Sequence, residues 1–241
     1  MIRQYLLSHP LTEGDWYGFL SPKFRHKTGI DSGTVSSFLQ FSEGKGDVAL
    51  IPVVWDQLAY FQNPFEQGEF WHPGITALCQ AIVDDLGLGI ELRSTVACSA
   101  NFTFCNYLIA KPGYWRHWLT LANDIFALAE NGAARSGSLA SPTDYGREGM
   151  VRPMKAFVQE RLPFLLLLSH RFRTTVLDVS STCRISDPRP PVRGLLQTCD
   201  QLKASFVESN QAKYLEAYRA VRRLIPMPPP VHSSPVPPSA R

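Results

Sequence analysis

The run Asp47-Val48-Ala49-Leu50-Ile51-Pro52-Val53-Val54 is almost unbroken in its apolar character, and it limits the folds open to this chain more than any other feature. A strand with one face in water alternates apolar and polar residues. A Val- and Ile-rich run without alternation suits a strand covered on both faces, as in a sheet flanked by helices. Gly44 and Gly46 close a loop ahead of the run. Pro52, which lacks an N–H for the ladder, marks where regular pairing should stop.

The rest of the chain supplies partners for such a strand. A second strand is expected over residues 102–110, and a late one over 174–179. Pro73-Gly74 opens a helix with Ile75, Leu78, Cys79, Ile82 and Leu86 on one face, ended by Gly87 and Gly89. After Pro112-Gly113, the residues Trp115, Trp118, Leu119, Ala122, Ile125, Phe126 and Ala129 mark the clearest amphipathic helix. Pro153 starts another helix, which Pro163 must kink or restart. A C-terminal helix follows Pro190-Pro191. The first thirty residues read as a short strand ending at Ser21-Pro22 and an irregular basic segment to Gly29. Asp31 or Ser32 then caps a short helix. Strands alternating with helices predict an α/β class.

Composition narrows the function classes. Hydrophobic residues at 44% and charged residues at 19% fit a packed globular chain. With 24 basic and 21 acidic residues scattered along the sequence, no basic stripe of the kind that grips nucleic acid is present. The five cysteines form no C-x-x-C and predict reduced thiols in a cytoplasmic setting. The longest apolar run, residues 164–168, is far short of the roughly 20 residues of a transmembrane helix, which leaves peripheral association as the closest approach to a bilayer. Residues 131–149, rich in Gly, Ser and Ala, read as a flexible loop and a candidate lid. Seven of the sixteen residues from Pro226 onward are proline, so 1–225 is expected to form one α/β domain and 226–241 a disordered tail.

The densest chemistry lies in residues 63–72: Asn63-Pro64-Phe65-Glu66-Gln67-Gly68-Glu69-Phe70-Trp71-His72. Two carboxylates, two amides, a histidine and three aromatics stand between the end of the first strand and the start of a helix, with Asp56 and Gln57 just upstream. Ligands of open α/β sheets bind beyond the carboxyl ends of strands, and helix N-termini attract anions. A nucleotide-sugar would fit there, with Asp56, Gln57, Asn63, Gln67, Glu69 and His72 binding substrate and Glu66 contributing to catalysis. The competing reading is a structured loop in which Glu66 or Glu69 caps the helix and the aromatics pack. Asn106, set on one strand face with Phe102, Phe104 and Leu108, must be hydrogen-bonded and either orients a substrate or ties down a loop. Glu160 is either a general base for an acceptor hydroxyl or half of an ion pair with Arg161.

Taken as a set, these segments resemble a known group. Tyr17-Gly18-Phe19-Leu20-Ser21-Pro22-Lys23-Phe24 with Lys27-Thr28-Gly29, the Asn63 to Gly74 motif, Phe104-Cys105-Asn106-Tyr107 with Ala110-Lys111-Pro112 and Trp115-Arg116, and Glu160-Arg161-Leu162 are similar to bacterial glycosyltransferase-like proteins of capsule and O-antigen polysaccharide biosynthesis. The resemblance spans roughly residues 1–220. It implies a GT-A-like mixed sheet flanked by helices, a nucleotide-sugar donor, a glycan or lipid-linked acceptor, and Glu160 or Glu66 as the catalytic carboxylate. Such proteins carry a strand ahead of the segment matching residues 2–7, so the sheet is expected to lack that N-terminal strand. GT-A enzymes hold divalent Mg or Mn through an Asp-x-Asp, which does not occur here. Either Asp56 or Glu66 takes that role or no metal is used. The alternative is a non-catalytic glycan- or partner-binding protein on a degenerate transferase fold.

Overall fold

In a computed structural model of the chain, residues 2–130, 139–144, 151–185, 187 and 189–227 are described. The apolar run becomes the short strand β2 (Val48–Leu50), whose residues are all buried. It lies inside a four-stranded mixed sheet of order β1-β3-β2-β6, with β1 at Tyr17–Gly18, β3 at Leu108–Ala110 and β6 at Thr174–Val176. β2 pairs antiparallel with β3, Ala49 facing Ile109, and parallel with β6, Ala49 facing Thr175. Burial on both faces therefore agrees with the sequence, while the pairing is mixed.

Helices cover the sheet. In chain order they are α1 (Ile2–Ser8), α2 (Phe24–Thr28), α3 (Ser32–Ser42), α4 (Trp55–Tyr60), α5 (Pro64–Trp71), α6 (Ile75–Asp85), α7 (Pro112–Glu130), α8 (Met154–Gln159), α9 (Leu162–Ser169), α10 (Pro190–Ser209) and α11 (Ala212–Arg222). Asp31 caps α3 by accepting from the Thr34 N–H, at 2.8 Å. Pro163 occupies the first turn of α9, so the chain restarts its helix there.

Several expectations are corrected. The basic segment read as irregular to Gly29 contains the helix α2, and residues 2–8, for which no element was expected, form α1. The strand expected over 102–110 is confined to its last three residues, because Cys105 and Asn106 adopt left-handed φ values of 62° and 55°. Residues 63–72, for which a structured loop was the competing reading, hold the helix α5, and the residues just upstream form α4. The C-terminal helix breaks at Asn210, also left-handed, into the hairpin α10–α11. Of the candidate lid, Pro142–Asp144 (β4) pairs with Val151–Pro153 (β5), and residues 131–138 and 145–150 lie outside the described residues, as does the tail 228–241. No helix among the described residues is long and apolar enough to cross a membrane.

Two buried clusters share α4. Leu58 joins the main core around β2, α6, α7 and α9, whereas Trp55 and Ala59 join a second cluster with Leu196, Cys199, Tyr218 and Ile225. At their junction lies Lys203, fully buried, its ammonium donating to the carbonyls of Leu58 and Phe61 (2.7 Å to the latter) at the end of α4. Burial pushes the Lys203 pKa down to about 8 despite the nearby Asp200. An unfolded lysine titrates near 10.4, so between pH 8 and that value the unfolded chain binds the extra proton and this group's contribution to stability rises with pH. Wild-type stability in chemical denaturation should therefore gain about 2 kcal/mol from this group between pH 7.5 and 9.5. The Lys203→Met variant should show a correspondingly flatter profile, and parallel profiles would remove Lys203 as the cause.

Candidate functional site

Residues 56–69 are held almost entirely by bonds within the protein. Asn63 caps α5: its Oδ1 accepts from Phe65 and Glu66 N–H groups at 2.9 Å, and its Nδ2 donates to the Leu92 and Thr95 carbonyls. Pro64 then fits the first helical turn, where no N–H is needed. Gln57 and Gln67 are buried and bonded to each other at 2.8 Å, and Gln67 accepts from Arg161 Nη2 at 3.0 Å. Arg161 is itself buried and donates to the Pro64 and Phe157 carbonyls. Glu66 accepts from the Gln62 N–H and pairs with Arg222 at 2.8 Å, whose guanidinium lies over the Tyr60 ring. Asp56 is buried in the first turn of α4 and accepts from the Gln57 N–H.

Glu69 resolves the helix-terminus question. Its two oxygens accept from the Gly74 and Thr76 N–H groups at 2.8 and 3.0 Å. Burial pushes its pKa up, but these donors outweigh it and hold the carboxyl below the usual range. The N–H groups at the start of α6, expected to face a ligand phosphate, already carry this carboxylate. Asn63 faces the 92–95 loop and Glu66 faces α11.

A different group does come together at the carboxyl end of β2. The Ile51 N–H donates to the Tyr107 carbonyl, and the Thr103 hydroxyl donates to the Ile51 carbonyl, which fixes residues 103–107 across that strand end. There the chain makes a tight turn over Phe104–Asn106 with two consecutive left-handed residues. Asparagine tolerates this backbone; cysteine does so at a cost of roughly 1–2 kcal/mol. Asn106 Oδ1 is buried and accepts no hydrogen bond. Lys27 Nζ, from α2, lies 3.8 Å from Cys105 Sγ and 5.9 Å from the centre of the Tyr107 ring. The Tyr107 hydroxyl is tied to Ser21 Oγ at 2.6 Å, and Phe24 meets the same ring edge-on, so α2 is braced where it presents Lys27.

Glu160, half-buried at the end of α8, acts on Cys105 and Lys27 through its charge. Burial drives its pKa up, only partly countered by the charges of Arg161 and Lys27. Burial likewise raises the Cys105 thiol to about 11, with Lys27 lowering it and Glu160 raising it further, so this cysteine stays protonated at neutral pH. One turn before Glu160 on α8, Phe157 packs against the His72 ring with centroids 3.6 Å apart. His72 Nδ1 lies 3.5 Å from Thr143 Oγ1. The charge of Glu160 is felt at Cys105 and Lys27, and His72, at the end of α5, packs against Phe157 of α8. Lys27, Tyr107 and Ser21 stand around the same turn, Lys27 and Ser21 being brought there by α2 and the segment before it.

A divalent cation finds no ready cage. Of the two carboxylates left to replace an Asp-x-Asp, Glu66 is engaged by Arg222 and Asp56 is buried in α4. No group of three His, Cys, Asp or Glu side chains among the described residues could hold a metal ion. Compared with family models, with curated proteins and with solved structures, the chain matches none of them.

Proposed function

We propose that the chain is a glycosyltransferase of surface-polysaccharide biosynthesis built on a reduced GT-A-like fold, with its reaction centre at Lys27, Asn106 and Glu160. The observation that carries this reading is Asn106 Oδ1, a buried acceptor with no donor at the carboxyl end of the parallel pair β2–β6, next in sequence to Cys105, which feels the charges of Lys27 and of Glu160, a carboxyl of raised pKa. Buried polar atoms are rarely left unmatched, and a sugar hydroxyl supplies the missing donor. A carboxyl pushed up by burial suits a general base near neutral pH. Glu160 takes the proton of the acceptor hydroxyl and the acceptor oxygen bonds to the anomeric carbon. The bond from that carbon to the donor diphosphate then breaks, and the diphosphate leaves as an anion. The acceptor is a glycan or a lipid-linked sugar, met in the cytoplasm or at the membrane surface.

A second reading, a glycan- or partner-binding protein on a degenerate transferase fold, is favoured by the internal engagement of Asn63, Glu66, Gln67 and Glu69. Thermal-shift screening against UDP-, GDP- and CMP-sugars separates the two. The transferase reading expects stabilisation by at least one donor and its loss in Asn106→Ala. Stabilisation by an oligosaccharide and by no nucleotide-sugar would establish the binder instead.

A further inference from the structure

We infer, resting on the transferase reading, that Lys27 holds the donor diphosphate and supplies the positive charge that a divalent cation provides in GT-A enzymes. Two observations converge on it. The helix N-terminus best placed for a phosphate, that of α6, is filled by the Glu69 carboxylate, and an anion cannot occupy N–H groups already bonded to one. The carboxylates that would have to ligate a metal are committed elsewhere, Glu66 to Arg222 and Asp56 to the interior of α4.

The segment that reaches the strand end from α2 is cationic. Lys27 stands on α2 with Arg25 and His26, Lys23 precedes the helix, and no acidic residue occurs between Asp15 and Asp31. Arg25, His26 and Lys27 form the last turn of the helix. Such a segment raises the local positive potential, which draws in a diphosphate and stabilises it as it leaves. The bracing of α2 through Phe24, Tyr107 and Ser21 fixes where the ammonium sits. Asn106 Oδ1 is then the sugar-facing acceptor beside a phosphate-facing cation, the polarity expected of a nucleotide-sugar. The charge of the same ammonium is felt at Glu160, which couples base and phosphate ligand electrostatically.

The experiment measures binding of UDP, GDP and CMP to the full chain by calorimetry, with EDTA and then with added Mn2+, for wild type, Lys27→Met and Lys27→Arg. The expected result is binding of one nucleotide in EDTA, weakened at least tenfold in Lys27→Met and largely restored in Lys27→Arg, with melting temperatures unchanged among the three. Equal binding by Lys27→Met, or binding that requires Mn2+, would overturn the role of Lys27 and leave the transferase reading standing. No binding of any nucleotide under either condition would overturn both.

Discussion

Gly68→Ala should be the most damaging small substitution in the chain, lowering stability by about 3–5 kcal/mol, the range for stranding a buried charge. A Cβ built at Gly68 would lie 2.8 Å from Arg161 Cζ and 2.9 Å from Nε, and closer still to Nη2. The guanidinium lies flat against the α5 backbone at this point, so the methyl group and the charge compete for one space. Arg161 cannot swing away cheaply. It is 3% exposed, and it donates to two carbonyls and to Gln67, which in turn is bonded to Gln57. Burial already pushes its pKa down against the charge of Glu160. Displacing it would leave a cation in the core with its acceptors unmatched. Thermal unfolding should register a fall on the order of 10 °C for a domain of this size. Arg161→Met should fall comparably, and because both changes act through one contact, the double variant should cost much less than their sum. A fall below 1 kcal/mol in Gly68→Ala would mean that α5 can shift away from Arg161.

The same contact explains why residues 55–72 were hard to read. Their polar side chains look like a ligand site in one dimension, because buried Asn63, Gln57 and Gln67 are a contradiction unless partners are known. Those partners, Arg161 and the Leu92 and Thr95 carbonyls, lie some thirty to one hundred residues away in sequence. Asn-Pro also reads equally well as a turn or as a helix cap followed by its first residue, and α4 and α5 are too short for their periodicity to decide. By contrast, β2 was legible because its character is continuous, α7 because its apolar face runs for several turns, and the α3 cap because it acts within three residues. Residues 102–108 misled in the opposite sense. Phe102, Phe104 and Leu108 alternate like a strand face, but the left-handed backbone at Cys105 and Asn106 breaks the alternation without any glycine to announce it. Asn106 and Glu160 stood out as polar groups among apolar neighbours. Lys27 did not, since an exposed lysine in a basic segment has nothing to distinguish it until α2 is placed.

Glu160→Gln should separate the cost of the site from its use. The folded-state pKa of Glu160 is raised by burial above the ordinary carboxyl value, so between the two values the folded protein binds the extra proton. Its stabilising contribution is complete below the unfolded pKa and is lost as pH rises through the folded one. Above its folded-state pKa the wild-type protein thus carries a half-buried, desolvated carboxylate. Glutamine has the same shape and no charge to desolvate. The variant should melt at a higher temperature than wild type at pH 8 and show little or no advantage at pH 4, where both side chains are neutral. Under the proposed mechanism it should also lose sugar transfer by roughly 100-fold or more, the usual contribution of a general base, while still binding the nucleotide-sugar. The acid limb of the wild-type rate should fall above the pH of an ordinary carboxyl, because the base is active only when deprotonated. Stabilisation at pH 8 together with lost transfer would mark Glu160 as a residue kept at a cost to stability for chemistry. Stabilisation with transfer intact would leave it a strained structural group and move the base elsewhere. A variant less stable at pH 8 would show that the carboxylate is held by its neighbours Arg161 and Lys27 more strongly than burial opposes it.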